Sequence, residues 1–315
     1  GVGPVLAWRR ATLPRLARTL LLPLATALGV LAMLLLATPA EESVTSLVMF
    51  CLAAFVLAVV GQEFWRGGRA RRVVTGESWP VALARLVGRN RRRYGGYVVH
   101  AGIAVLFVGV AASSAFHEQR DVRLSPGQTI TAGDYTITYR EPTARVLDDR
   151  AGTGAPISLG AVFDVRRGDK RFVARPSRNY YPSNDPSAGP VGRYFEGEAT
   201  SEVDVSWGLR RDLWTAIQPD LRSLQGPIRD ADRRFPDADA GVLAVVLTAL
   251  AERYRRDPPP AAVRAIVSPM VVWIWIGGGI AVLGSLLALW PSPEARRRRI
   301  TSLYAARLGR DLARA

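Results

Sequence analysis

Four windows of this chain are apolar for about 20 residues each, the length that crosses ~30 Å of hydrocarbon. They are TLLLPLATALGVLAMLLLAT at 19–38, VTSLVMFCLAAFVLAVVGQ at 44–62, YVVHAGIAVLFVGVAASSAF at 97–116 and PMVVWIWIGGGIAVLGSLLALW at 269–290. None contains a charged residue. A backbone in lipid must satisfy its own hydrogen bonds, so each window is expected to be a helix. The link between the first two, TPAEESV among its residues, is short enough to make them a helical hairpin. The expected fold class is a polytopic α-helical membrane protein of four spans, with a small β-rich extracytoplasmic domain between the third and fourth.

The charges set the orientation. The chain carries 42 Lys+Arg against 27 Asp+Glu, a formal charge of +15. Twenty of the 42 basic residues fall in 1–18, 65–95 and 291–315, where only Glu77, Glu294 and Asp311 oppose them. The other 22 lie in 117–268 beside 21 acidic residues. Short basic segments stay in the cytoplasm. The layout that follows is a cytoplasmic flank at 1–18, a transmembrane hairpin at 19–64 and a basic cytoplasmic loop with an interfacial helix at 65–95. A transmembrane helix at 96–116, an extracytoplasmic domain at 117–268, a transmembrane helix at 269–290 and a cytoplasmic tail at 291–315 complete it. The expected location is the bacterial inner (plasma) membrane. The excess charge is topological, so nucleic acid is not an expected partner while membrane lipid is.

Residues 77–93 contain an amphipathic piece with Trp79, Val81, Leu83 and Leu86, which is expected to lie along the inner headgroup surface. Trp273 and Trp275 near the outer end of span four, and Trp290 at its inner end, read as an aromatic belt. In the external segment, DVRLSPGQTITAGDYTITYRE alternates between turn dipeptides, and AVFDVRRGDKRFVARP reads as a hairpin closing on Gly-Asp. RPSRNYYPSNDPSAGP reads as loop, with Tyr180 and Tyr181 as docking or packing aromatics. VSWGLRRDLWTAI reads as a strand leading into a short helix. The apolar part of 241–256 is too short to span a membrane and reads as a domain helix.

Chemistry is sparse. No phosphate loop, HExxH or GxSxG string occurs. The single cysteine, Cys51, sits in an apolar run and reads as a packing residue, which leaves no disulfide, CxxC or cysteine-based zinc site. The opening segment has no recognisable signal peptide, and Gly1 at its head points to a fragment or a processed chain.

The chain has two histidines, and His100 stands inside the third window. An ionisable residue in a span is a functional candidate by default. The alternative is an interhelical hydrogen bond worth about a kcal/mol. Gly95, Gly96 and Gly102 flank it and would let a second helix, or a flat macrocycle, approach closely. Gly95, Gly102 and Gly109 recur every seven residues and also suit plain helix packing. Arg91, Arg92 and Arg93 lie where haem propionates would emerge, and topology explains them equally well. A neutral imidazole can be an axial haem ligand. His117 is about 25 Å further along a straight helix, so the two cannot share a metal. It reads as a solvated interfacial residue. In span four, Gly277, Ala281 and Ser285 form a small-residue packing face.

Four blocks in order, RRRYGGYVVHAGIAVLFVGVAASSAF, HEQRDVRLSPGQTITAGDYTITYRE, SWGLRRDLWTAI and SPMVVWIWIGGGIAVLGSLLALWPS, resemble the C-terminal part of the CcmF/NrfE family of cytochrome c-type biogenesis proteins. The likeness covers nearly the whole chain. It implies the haem lyase subunit of the System I pathway. Such a subunit takes haem, its substrate, from a CcmE-like chaperone. It helps join the haem to apocytochrome c CXXCH cysteines as thioethers, with a CcmH-like subunit presenting the thiols. The family also holds a haem b between two transmembrane histidines, with quinol as the electron donor.

By the resemblance, His100 matches the second of these ligands to the haem iron, with Arg93, Tyr94 and Gly96 as haem surroundings. The family's tryptophan-rich WWD segment, its external histidines and its first transmembrane histidine have no counterpart in these 315 residues. They are expected on an N-terminal half supplied by a longer or split protein. The chain alone is expected to perform no ligation. The rival expectation is a non-enzymatic assembly and docking subunit in which His100 only packs helices. A quinol-oxidising di-haem protein would need more histidines.

Overall fold

A computed structural model describes residues 13–38, 43–147, 156–185 and 187–291. The N-terminal flank through residue 12, residues 39–42 of the first link and the arginine-rich tail from 292 lie outside the described residues. The chain divides into two compact units, Gly1–Phe116 with Pro269–Ala315, and His117–Ser268.

The first unit is helical: α1 (Leu13–Ala37), α2 (Val44–Thr75), α3 (Trp79–Arg89), α4 (Arg91–Ala115) and α8 (Val272–Leu289). Four of these are long and apolar enough to cross a membrane. Pro23 inside α1 cannot donate to the Thr19 carbonyl four residues back. Gln62 of α2 supplies the missing donor at 3.0 Å, with its amide oriented by the groups around it. Helix α2 runs 13 residues past the apolar window ending at Gln62, because nothing breaks it before Gly76, which caps it at φ 67°. Glu77 then accepts from Arg71 (2.8 Å) and from Arg85. These guanidiniums hold its carboxyl down at about 2.

Helix α3 turns its apolar face onto α2. Trp79 stacks on Trp65 with ring centroids 4.7 Å apart, and Leu83 and Leu86 fill the notches left by Gly68 and Gly67. Val81 points away and is 41% exposed. Trp275 and Trp290 of α8 are also exposed.

Helices α4 and α8 pack antiparallel through a ladder of small residues. A Cβ on Gly95 would lie 2.6 Å from Ala288 N, and one on Gly109 would lie 2.8 Å from Ile274 N. Between them Gly102 abuts Ala281. In return Gly284 meets Val99, and Gly277 meets Leu106. The α8 face is therefore Gly277, Ala281, Gly284 and Ala288. The expected third member, Ser285, is exposed and donates to its own helix at Ala281 O (2.9 Å). With 3.6 residues per turn, a straight stripe alternates steps of four and three, and a strict four-residue step drifts off the face.

The second unit is β-rich. One sheet has the order β1 (Glu118–Leu124), β10 (Ala261–Pro269), β9 (Arg211–Gln218), β8 (Asp204–Ser206). The other has β2 (Thr129–Ala132), β3 (Tyr135–Val146), β4 (Ile157–Arg167), β6 (Ser177–Tyr180), β7 (Ala199–Glu202), with β5 (Lys170–Ala174) also on β4. The β4–β5 hairpin closes through Gly168 (φ 55°) and Asp169, the left-handed turn that Gly-Asp favours. Ile137, Tyr139, Phe163, Leu213, Ile217 and Val263 share one core. A second core lies under α6 (Arg222–Arg234) and α7 (Ala240–Arg256), where Leu224, Leu247, Leu250 and Tyr254 meet Ile157, Leu159 and Tyr180. Strand β4 is buried on both faces from Ile157 to Phe163, which is why that half of it does not alternate.

Three expectations change. The stretch 175–190 is not all loop, since Ser177–Tyr180 pairs with β4 and β7 and buries Tyr180, while Tyr181 is 37% exposed. The short helix expected within 205–217 is absent. Asp204–Ser206 pairs with Leu213–Thr215, because Leu213, Thr215 and Ile217 bury at period two. Helix α6 was not anticipated, since Gly226 and Pro227 interrupt its pattern.

Asp212 is fully buried at the start of β9. Its Oδ1 accepts from Gly208 N (2.8 Å), while Oδ2 has no partner. Burial pushes its carboxyl above the usual range. A carboxyl raised in the folded state stabilises the fold when protonated, and that contribution is lost as pH rises through the folded-state value. Asp212→Asn keeps the acceptor without the buried charge. It is expected to raise stability at pH 7 by about 1 kcal/mol, with the gap closing as pH falls through the carboxylate range. Thermal melts in detergent at several pH values measure this, and a variant less stable at pH 7 would contradict it.

Candidate functional site

Helix α4 has three differently used sides. One carries the Gly95, Gly102 and Gly109 ladder to α8. A second faces α2 and α3, where Tyr94 and Tyr97 pack with Val60, Phe64 and Leu86. The third carries Gly96, His100 and Ile103. A Cβ at Gly96 would meet nothing within 4 Å, and Ile103 is 41% exposed.

His100 is half-buried on that third side, and its Nδ1 lies 2.7 Å from Gly96 O. A carbonyl only accepts, so Nδ1 carries a proton, and in the neutral form of the ring the lone pair is left on Nε2. Metal-bound histidines are commonly arranged this way, with the far nitrogen tied to a carbonyl so that tautomer and ring orientation are set. The ring makes no hydrogen bond to another helix among the described residues. The polar contact that would have made it a helix-packing residue is therefore spent within its own helix.

Gly96 thus joins His100 directly, as the carbonyl that holds the ring and as open space beside it. Arg93 stands one heptad earlier, about 10 Å along the axis. Its Nε donates to Tyr97 Oη (2.9 Å) and its Nη2 to Glu63 Oε2 (2.7 Å), yet 60% of its side chain is exposed. Tyr97 Oη in turn donates to Glu63 Oε2 (3.0 Å). Tyr94 is on another side: it is 3% exposed, sits edge-on to Phe64 at 5.0 Å and places its hydroxyl against Gly67. Its surroundings are α2 and α3, not His100.

Glu63 and Tyr97 were not singled out by sequence. The available signal was that Glu63 is the sole carboxylate between residues 44 and 76. It is 13% exposed and keys the α2–α4 contact at the end of the apolar window. Above it, Arg89–Arg93 and the end of α8 line a cleft of about 530 Å³, in which Arg91 Nη1 donates to Pro291 O (3.1 Å). Among the described residues no cluster of His, Cys, Asp and Glu could hold a metal by itself.

No protein-family model matches the chain. It is similar to the cytochrome c-type biogenesis protein CcmF of Escherichia coli, 25% identical over 95% of this chain and 36% of that protein. It is similar to the cytochrome c-type biogenesis protein CycK of Rhizobium meliloti, 29% identical over 97% of this chain and 36% of that one. The probable cytochrome c-type biogenesis protein NrfE of Escherichia coli is 23% identical over 67% of this chain and 29% of its own length. The solved structure of a cytochrome c heme lyase CcmF superposes with a TM-score of 0.50 at 22% identity, covering 92% of this chain and 37% of that one. The chain thus spans roughly a third of the length of these relatives.

Proposed function

We propose that this chain is a member of the CcmF/NrfE family of cytochrome c-type biogenesis proteins, to which it is similar over most of its length, and that it is the C-terminal part of a haem lyase whose His100 is an axial ligand to a membrane haem b. The observation that carries the ligand assignment is the His100–Gly96 arrangement, which occupies Nδ1 and leaves Nε2 as the coordinating nitrogen of the neutral ring, on a side of α4 with open space beside it. That donor fits haem iron, for which a neutral imidazole is a common axial ligand.

The chain's own residues have separate tasks. The Gly96 carbonyl holds the proton of His100 on Nδ1 and aims the ring. Arg93, anchored by Tyr97 and Glu63 and otherwise exposed, is placed to receive a propionate at the membrane boundary. Tyr94 supports them by locking α4 to α2 and α3. When bound, a haem b supplies one-electron redox chemistry, with quinol as the source of electrons. The second axial histidine and the tryptophan-rich haem-handling segment belong to the N-terminal part of the protein.

In this reading the basic segments, including 66–93, are cytoplasmic, and both ends of the chain lie on that side. Residues 117–268 are extracytoplasmic and form a docking module near a CcmE-like chaperone, a CcmH-like subunit and apocytochrome c. Haem itself is the substrate, joined to CXXCH cysteines in the assembled complex.

The test is co-expression of this chain with its N-terminal half, purification of the complex and a reduced-minus-oxidised visible spectrum. A b-type α-band in the complex, and loss of covalent haem from c-type cytochromes when this chain is deleted, are the expected results. An intact complex without haem, in a host whose cytochromes c mature normally after the deletion, would refute the reading.

A further inference from the structure

The β-rich unit carries an exposed basic-aromatic lip that the haem chemistry does not use. Trp207 is 62% exposed and Leu209 69% exposed, both on the turn between β8 and β9. The β4–β5 turn lies alongside, and Lys170 and Arg171 line one hollow with Trp207, Leu209, Arg210 and Arg211. Asp134 and Asp169 are the nearby acids, and Asp134 is already paired with Arg167 (2.6 Å) and Arg211 (3.2 Å). Lys170, Arg171 and Arg210 are exposed.

This turn lies at the end of the unit where the chain enters and leaves. Glu118 pairs with Val267 in the β1–β10 ladder, so the two exits are neighbours. A Cβ on Gly133 would lie 3.6 Å from both Glu118 Oε2 and Val267 Cγ1, and the next residue, Asp134, holds Arg211 beside the turn. Helices with the length and apolarity to cross a membrane end at Ala115 and begin at Val272, only two residues from β1 and β10 respectively. At no more than ~3.6 Å per residue, such links hold this end of the unit within about a nanometre of the bilayer surface.

The tip is preformed. Asp212, fully buried beneath it, accepts from Gly208 N at 2.8 Å. A large aromatic and an aliphatic side chain ringed by lysine and arginine is the composition of a membrane-interface contact. The apolar groups enter the headgroup layer and the cations meet phosphate.

We propose that the Trp207–Arg210 turn is a lipid-surface anchor, with Trp207 and Leu209 in the interfacial layer of the bilayer and Lys170, Arg171 and Arg210 against lipid phosphates. It restricts the tilt of the β-rich unit over the membrane.

The full chain in nanodiscs of phosphatidylcholine with phosphatidylglycerol tests this. A nitroxide is placed at Trp207→Cys and, separately, at Leu209→Cys in a Cys51→Ser background, with Asp230→Cys as the water-exposed reference. The two label sites guard against one variant failing to fold. Both turn labels are expected to collide with oxygen several-fold more, and with a water-soluble nickel chelate several-fold less, than the reference label. Replacing Lys170, Arg171 and Arg210 together by glutamine should move both labels toward water. Labels as open to the nickel chelate as the reference would overturn the proposal. So would labels shielded from both reagents, since that result means a protein surface covers the turn.

Discussion

Replacing His100 by alanine is expected to remove the b-type α-band from the complex with the N-terminal half, by at least about tenfold in bound haem, while the two parts still assemble. Even outer-shell partners of metal ligands cost 10–100-fold when removed, and a first ligand carries more. Assembly should survive because the one described hydrogen bond of His100 runs to its own helix at Gly96 O. The same geometry predicts rescue. Truncation leaves a gap beside Gly96, where even a Cβ would meet nothing within 4 Å. Added imidazole can occupy that gap and present a nitrogen of its own. Unchanged haem in the alanine variant would end the ligand assignment and leave the chain as an assembly and docking part. Loss of haem together with loss of the complex would instead make His100 structural, and a pull-down between the halves separates these results.

The same substitution at two glycines of α4 is expected to have opposite effects. Gly102→Ala drives a methyl group into the backbone of α8, since a Cβ there would lie 2.7 Å from Gly277 O and 2.9 Å from Ala281 Cα. Neither atom belongs to a flexible side chain, so the helices must separate. Apolar burial does not drive helix association in lipid; close packing does. The separation therefore also weakens the contacts at Gly95, Gly109, Gly277 and Gly284. A cost of about 1–3 kcal/mol is the ordinary range for overpacking. Gly96→Ala, about one and two-thirds turns away, meets open space and should gain up to about 1 kcal/mol from helix propensity. Melting of the two variants in detergent should bracket the wild type. Equal melting temperatures would show that the ladder does not hold α4 to α8.

Much of this architecture is legible along the chain because its signals are local. Apolar length marks the spans, and the windows at 19–38, 44–62, 97–116 and 269–290 each fall within or overlap a long helix. Turn chemistry marks Pro-Gly, Gly-Asp and the hairpin at Gly168, because a left-handed backbone favours a residue without a Cβ. The signals that failed were those in which local pattern and burial disagree. Ser177–Tyr180 looks like loop because prolines surround it, and becomes a strand because β4 and β7 lie on either side. Residues 211–217 carry both helical and alternating patterns, and packing of Leu213 and Ile217 into the sheet core chooses between them.

The candidate site divides in the same way. A lone histidine in a span marks itself as unusual by the cost of a polar group in lipid, so His100 stands out from sequence alone. Its proton placement does not, because that depends on the rotamer that brings Nδ1 to Gly96 O. Arg93 and Tyr94 are adjacent in sequence, yet a helix turns 100° between neighbours. One is left largely exposed one heptad above His100, and the other is buried against α2 and α3. Glu63, 30 residues from Arg93, holds that arginine only because α2 and α4 pack side by side. The sequence by itself determined how many segments can cross a membrane, where the β-rich unit begins and ends, and that His100 is out of the ordinary. Only the tertiary structure decided which glycines bear on a neighbouring helix, which nitrogen of His100 is open and which turn lies beside the chain's two exits. Those depend on pairings between residues far apart in sequence, and no local property records them.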